Sequence, residues 1–522
     1  MLKSFVSGRW VEPRGDGVSI EDAVTGDEIA RASADGIDVP AALTYGRRHG
    51  GQALGALSFH ERAGLLKALG LFLRDHRAEL YELSAHAGAT LADARTDVDG
   101  GIGVLLSYAS RAVRELPDDT VILDGPLEPL GRGGQFVAQH VLTSRPGLVV
   151  QINAYNFPVW GPLEKLAPAL LAGLPTLIKP ATPTAYLTVR LVELLLEAGV
   201  LPEGALQLLC GSGVGLLDHL GGQDAVEFTG SAATARQLAA HPSVLSRRVR
   251  FQAETDSLNC SILGPDASAG TPEFDLFIAQ LVAEMTAKAG QKCTAIRRAL
   301  VPRDHMGSVV EATKARLAAV VVGHPADPSV TMGPLVSRAH RDGVRSAVAS
   351  LRRAGRLVAG DPDAAAVLGA DPERGAFLAP LLLVADDPSR PEPHEVEAFG
   401  PVSTVMGYTH VDDAIQLAAR GRGSLAGSVV TADGGFARAV VRGLAPWHGR
   451  ILVLDRDAAG ESTGHGSPLP MLVHGGPGRA GGGEELGGMR SVRRHLQRTA
   501  VQASPRLLAQ VTDPPATSGA TE

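Results

Sequence analysis

Apolar positions fall at helical spacing early in this chain and switch to short continuous runs after Gly147. Ser58-Phe-His-Glu61 has the form of a capping box, and Leu65, Leu66, Leu69, Phe72 and Leu73 follow on one face, so a long helix is predicted there. Helix is predicted again over 78–108, interrupted by glycines at 88, 100, 101 and 103. Ahead of both, Phe5 to Val11 reads as a hairpin turning at Ser7-Gly8. Residues 116–134, rich in Pro, Asp and Gly, read as a connector or projecting arm.

After Gly147 strands alternate with helices: strand 148–152, helix 161–172, strand 175–179, helix 185–198, strand 206–209, a short helix near Leu216, strand 225–228, another helix, and strand 248–253. That alternation predicts an α/β fold with a parallel, doubly wound sheet, which takes ligands at its strand C-termini. Those ends carry residues 153–156, 179–182, 211–215, 229–231 and Glu254. The second half repeats the pattern less regularly, with strands expected at 260–263, 298–301, 318–322 and 425–431, and reads as a second α/β domain. A returning strand is expected at 497–502 and a disordered tail at 512–522.

With 522 residues the chain exceeds one ordinary core, and 44% hydrophobic with 20% charged residues places it among globular proteins. A net charge of −7 without a basic run argues against nucleic-acid binding. No apolar run reaches the ~18 residues of a spanning helix, so no membrane association is expected. Cys210, Cys260 and Cys293 form no even disulfide framework; with no signal peptide at the N-terminus, a cytoplasmic location is expected.

A literal G-x-G-x-x-G at Gly476, Gly478 and Gly481 is not a dinucleotide fingerprint, because it follows the proline-broken Ser467-Pro-Leu-Pro470 and enters Gly482-Gly483 instead of a helix. A closely packed or flexible loop is expected there. Cys293, in Gly290-Gln-Lys-Cys-Thr294, is a nucleophile if its surroundings activate it and an inert core thiol otherwise. Asn156, before Phe157-Pro158, is an oxyanion donor or a turn former. Lys179 is a ribose or phosphate ligand or a solvated strand-end lysine, and Phe228-Thr-Gly-Ser231 is an anion-facing turn or simply a tight one. Glu254 is a general base or an exposed acid.

The order of these pieces resolves the choice. Asn156 in Asn-Phe-Pro, Lys179 in Ile-Lys-Pro-Ala, Phe228-Thr-Gly-Ser231, Glu254, Gly-Gln-Lys-Cys293, and Glu397 with Phe399-Gly-Pro-Val402 follow one another as in the aldehyde dehydrogenase superfamily, which this sequence resembles. Within it the sequence is similar to the dehydrogenase part of the phenylacetate-degradation ring-opening enzymes. The residues that carry this are Asp99-Gly-Gly-Ile-Gly103, Ile152-Asn-Ala-Tyr-Asn-Phe157, Asp256-Ser-Leu-Asn259, Lys292-Cys-Thr-Ala-Ile-Arg-Arg298 and the segments 462–470 and 475–488.

The resemblance implies an aldehyde dehydrogenase fold: a Rossmann-like cofactor-binding domain at 1–115 and 144–254 with part of 448–490, a catalytic domain at 255–447, and a β oligomerisation arm from 116–143 and 491–511, making a homodimer or higher oligomer. It implies that Cys293 attacks the aldehyde, that Asn156 and the Cys293 N–H hold the oxyanion, and that Glu254 deprotonates the hydrolytic water. Cofactor contacts are implied for Ile152, Lys179, Thr182, Gly211, Thr229, Gly230, Ser231, Glu397 and Phe399. Thr182 stands where many NAD-preferring members carry glutamate, so NADP is the expected cofactor, with NAD possible. Ala235 replaces a glycine frequent in the family. The implied substrate is a CoA-thioester semialdehyde, 3-oxo-5,6-dehydrosuberyl-CoA semialdehyde, with 3,4-dehydroadipyl-CoA semialdehyde of benzoate catabolism as the alternative. Arg297, Arg298 and Arg479 are candidates for the CoA phosphates. A C-terminal hydratase is not expected in this chain, so a separate enoyl-CoA hydratase would hydrolyse the ring. A catalytically silent scaffold is the reading from another class, and the joint presence of Cys293, Glu254 and Asn156 argues against it.

Overall fold

Ser7 and Gly8 turn the chain through positive φ, and the turn pairs Ser4–Val6 with Arg9–Val11, as expected. The computed structural model, which describes residues 1–213 and 215–512, shows this hairpin closing one edge of a seven-stranded sheet. Across that sheet the strands run Arg250–Glu254, Ala225–Thr229, Val149–Ile152, Thr176–Lys179, Leu206–Leu208, Ser4–Val6 and Arg9–Val11. The first five are parallel. Chain order reverses between Ala225–Thr229 and Val149–Ile152, and a crevice opens at such a switch point beyond the strand C-termini.

Long helices cover this sheet. Phe59–Ser84 begins at the Ser58 capping box, with Ser58 and Glu61 bonded reciprocally. Helix Leu91–Glu115 runs unbroken through the glycines expected to interrupt it; only Gly88, at φ 82°, lies between helical segments. Gly100 and Gly101 permit close approach, since a Cβ on Gly100 would sit 1.9 Å from the Trp160 ring and one on Gly101 3.0 Å from Trp160 Cα. Trp160–Leu171 packs on the same core. Gly100→Ala is therefore expected to destabilise by about 1–3 kcal/mol through overpacking, whereas Gly103→Ala, which meets nothing within 4 Å, should be stabilising by about 0.5–1 kcal/mol. Thermal unfolding of the two variants checks this.

The second seven-stranded sheet runs Gly355–Ala359, Leu381–Ala385, Val402–Tyr408, Arg298–Pro302, Cys260–Leu263, Ser424–Val430 and His448–Leu454. Only Gly355–Ala359 is antiparallel to its neighbour. The strand expected at 318–322 does not form. Helix Met306–Leu317 is followed by turns in which Val320 N–H donates to Leu317, and only Val322–Gly323 pairs, in a separate ladder with Val367–Leu368.

Residues 116–134 do not lie wholly outside the core, since Leu116 and Ile122 pack into it. Val121–Pro129 and Val137–Thr143 form a hairpin, and Gln497–Ala503 returns to pair with Val137–Thr143 from Gln497↔Thr143 to Ala503↔Val137. Leu123, Leu127, Leu130 and Phe136 are exposed on it. Met489, Val492 and Leu496 pack instead into the first core. Of the tail, Thr512 closes helix Pro505–Thr512 and the rest lies outside the described residues. Among the described residues no helix is long and apolar enough to cross a membrane.

Candidate active site

Cys293 sits on a strained turn between the two sheets. Helix Pro272–Thr286 gives way to Lys288, Ala289 and Gly290 in succession at φ 51°, 51° and 68°. Two of these are not glycine, and each costs roughly 1–2 kcal/mol in the left-handed region. Gly290 has no alternative, because a Cβ there would lie 2.1 Å from the Gly400 carbonyl. Surrounding groups hold the turn: Lys288 N–H donates to Asp93 at 2.7 Å, Val336 N–H donates to Gln291 Oε1 at 3.0 Å, and Asn259 Nδ2 donates to the Cys293 carbonyl at 2.8 Å.

Arg297 clamps the same turn. Its guanidinium donates to the carbonyls of Gly290, Lys292 and Gly400 and is buried. Arg298 is buried too, bonded to the carbonyls of Leu258, Leu417 and Ala418. Neither is free to meet CoA phosphates, which corrects that expectation: both guanidiniums are buried and spent on backbone carbonyls inside the fold. Arg479 does reach a cavity wall, donating to the carbonyls of His394 and Glu395.

Asn156 and Glu254 converge on Cys293. Asn156 Nδ2 donates to the Gln291 carbonyl at 3.0 Å, which leaves its second N–H available. Glu254, last residue of its strand, places Oε2 2.9 Å from His474 Nε2, and the same imidazole nitrogen lies 4.0 Å from Cys293 Sγ. Burial and the neighbouring Glu254 carboxylate push the Cys293 thiol well above its ordinary value. Burial pushes Glu254 up as well, but His474 and Lys165 outweigh it and hold the carboxyl below the usual range.

Two cavities meet at these side chains. The larger, about 580 Å³, is lined by Asn153, Thr229, Gly230, Ser231, Glu397 and Phe399 among others. The smaller, about 60 Å³, is walled by Phe157, Trp160, Lys165, Lys292, Pro468 and His474. Asn156, Glu254 and Cys293 border both. In the larger one Glu397 Oε1 and Thr229 Oγ1 are buried and make no hydrogen bond. Burial raises the Glu397 carboxyl to about 7 although Arg297 opposes it. Ser231 Oγ caps helix Ala232–Ala239, and Asp256 accepts from Ala232 N–H at that helix start.

Ile152, Lys179, Thr182 and Gly211 lie outside the lining of this cavity. Ile152 packs between the sheet and its helices, Lys179 Nζ donates to the Pro180 carbonyl at 3.0 Å, Thr182 opens the turn Thr182–Thr184, and Gly211 lies against the Ser33–Ala34 backbone. Two buried features had gone unread in the sequence. Lys165 bridges Glu164 and Glu485 at 3.1 Å each, and a lysine inside the apolar helix Trp160–Leu171 was its signal. His474 was a lone histidine in a glycine-rich segment, with no local sign of its partners.

Residues 10–462 match the aldehyde dehydrogenase family. This chain belongs to that family. The aldehyde dehydrogenase is 46% identical over 479 residues to 3,4-dehydroadipyl-CoA semialdehyde dehydrogenase of Aromatoleum evansii, covering 91% of this chain and 93% of that one. It is 51% identical over 183 residues to Protein MaoC of Klebsiella aerogenes, covering 34% and 52% respectively. Its fold is that of betaine aldehyde dehydrogenase from Staphylococcus aureus, solved as a point mutant with NAD+, at a TM-score of 0.83, 24% identity and coverage of 100% and 99%. PnpE from Pseudomonas sp. WBC-3 matches at 0.83 with 25% identity over 96% and 97% of the two chains.

Proposed function

We propose that this aldehyde dehydrogenase oxidises a CoA-linked semialdehyde to its acid, with Cys293 as nucleophile. The observation that carries the reading is the convergence of Asn156, Cys293 and Glu254 where the two cavities meet. The resemblance had put 3-oxo-5,6-dehydrosuberyl-CoA semialdehyde first. Identity of 46% across 91% of the chain favours the alternative, 3,4-dehydroadipyl-CoA semialdehyde, and that is the substrate we propose. Turnover of the two semialdehydes by the purified protein tests it; equal or better kcat/KM on the longer one overturns the choice.

The larger cavity fits a nicotinamide dinucleotide, because Glu397 Oε1 and Thr229 Oγ1 are unspent acceptors for ligand hydroxyls in a buried wall. Glu397 and Thr229 would hold a ribose there, Phe399 would pack against the nicotinamide, and Gly230 with Ser231 would face the pyrophosphate. Lys179, Thr182, Gly211 and Ile152 would serve the adenosine end. Cys293 loses its thiol proton to solvent and adds as the thiolate to the aldehyde carbon, and the second Asn156 N–H with the Cys293 N–H stabilises the oxyanion formed as the C=O π bond opens. Bound there, the cofactor supplies the hydride acceptor that turns the thiohemiacetal into a thioester. Glu254 then takes a proton from the water that hydrolyses this thioester.

NADP is the proposed cofactor. Thr182 sets no negative charge against a 2′-phosphate, and Lys179 stands close by in sequence to meet one. Thr182→Glu is expected to lower the NADP-to-NAD ratio of kcat/KM by about tenfold or more, since like-charge juxtaposition costs several kcal/mol. An unchanged ratio would count against Thr182 as the discriminating position. A homodimer joined through the exposed leucines of the arm, and a cytoplasmic location suited to three free cysteines, complete the proposal.

A further inference from the structure

We propose that His474 is a positioning residue that pins the Glu254 carboxylate beside Cys293 and readies it as the base for thioester hydrolysis. This rests on the reading that Cys293 and Glu254 carry the aldehyde oxidation. His474 lies on the short strand Val473–Gly475, paired with Glu484–Leu486, and is buried. Its Nε2 is 2.9 Å from Glu254 Oε2, while its Nδ1 is buried without a hydrogen-bond partner. The Glu254 carboxylate is thus in close polar contact with this imidazole, although Oε2 makes no aligned hydrogen bond here, and the Cys293 sulfur at 4.0 Å is its other polar neighbour.

The glycine motif that failed as a dinucleotide fingerprint explains how the pair is brought together. A Cβ on Gly476 would lie 2.3 Å from the Ser424 carbonyl, and one on Gly481 would lie 2.3 Å from the carbonyl of Ala253, the residue before Glu254. The loop after His474 is therefore pressed against a strand of the second sheet on one side and against the end of the Glu254 strand on the other. Its glycines are what such close backbone approach demands. His474 is fixed relative to both sheets.

A carboxylate in this chamber needs the help. Burial alone would favour its neutral form, and a neutral Glu254 cannot accept a proton from water. The charged and titratable groups around it are His474, the Cys293 thiol on its loop, Lys165 and Glu164 from helix Trp160–Leu171, Glu485 from the strand beside His474, and Arg450 from strand His448–Leu454. Lys165 is already divided between Glu164 and Glu485, so the imidazole N–H, at 2.9 Å though not aligned in a hydrogen bond here, is the group left to stabilise the Glu254 carboxylate. Removing that N–H raises the carboxyl pKa, so the ionised fraction at a given pH falls and the acid limb of turnover moves to higher pH.

The test compares His474→Phe, which keeps a ring and loses the donor, with His474→Gln, which keeps an N–H donor. Both are assayed with NADP and a short aldehyde such as propanal, beside the wild type, with thermal unfolding to confirm that each is folded. In His474→Phe the acid limb should rise by about one to two pH units, so that kcat falls about 10- to 100-fold at pH values on that limb and little at neutral pH, with KM for the aldehyde little changed and the first-turnover burst of NADPH retained. His474→Gln should keep most of the turnover and the wild-type limb. An unshifted limb in His474→Phe, or equal losses in both variants without a shift, would overturn the proposal while leaving Cys293 catalysis intact. A wild type that is inert toward every aldehyde would overturn the catalytic reading itself.

Discussion

Cys293→Ala is expected to abolish aldehyde oxidation, lowering kcat by roughly 10⁴-fold or more, because no other group can form the covalent adduct. The neighbouring thiols offer no substitute. Cys210 and Cys260 are both buried, Cys210 just past strand Leu206–Leu208, where its N–H donates to Ser4 Oγ, and Cys260 in the second sheet, and burial raises both thiols. Binding of NADP should survive, since the groups proposed to hold it line the larger cavity and do not depend on the sulfur. Titration of the variant with NADPH by fluorescence, beside a turnover assay, separates the two effects. Turnover above about 1% of wild type would show that Cys293 is not the nucleophile.

Glu254→Gln is expected to have the second largest effect and a different signature. A general base contributes about 10²- to 10⁴-fold, so steady-state turnover should drop by that factor while a burst of about one NADPH per site remains. The same substitution removes the negative charge that helps hold the Cys293 thiol above its ordinary value. Alkylation of Cys293 by iodoacetamide at neutral pH should therefore quicken in Glu254→Gln relative to wild type. Loss of the burst together with slower alkylation would mean that Glu254 acts on the thiol and not on water.

Parallel strands were the most legible part of the chain. Strands buried on both faces appear as short, mostly apolar runs, and those at Val149–Ile152, Thr176–Lys179, Ala225–Thr229 and Ser424–Val430 could be read directly. Leu381–Ala385 and Val402–Tyr408 are as fully buried, yet only the short helix Glu392–Glu395 lies between them, so the alternation that marks a crossover is missing. The glycines of helix Leu91–Glu115 misled for a related reason. Glycine reads locally as a breaker, and only the distant Trp160 shows that the position calls for a missing side chain.

The site divides in the same way. Cys293, Glu254 and Asn156 were found through an ordered set of motifs, and all three border both cavities. His474 could not be found so, because its partners stand at positions 254 and 293 and no spacing rule connects them. Arg297 and Arg298 show the converse. They read as available cations, but folding commits them to backbone carbonyls around the catalytic turn and the second sheet.

The distant partners of Lys165 and Val137–Thr143 set a schedule for synthesis. Lys165 is buried in the first core, yet Glu485, one of its counter-ions, emerges 320 residues later. Until then the ammonium lacks half of its neutralisation, and an underpaired buried charge costs several kcal/mol. Val137–Thr143 likewise waits for Gln497–Ala503 to cover its open edge. The earliest-made half of this protein therefore cannot finish its core while it is still on the ribosome. Nascent chains stalled before Glu485 are the ones that should need a chaperone.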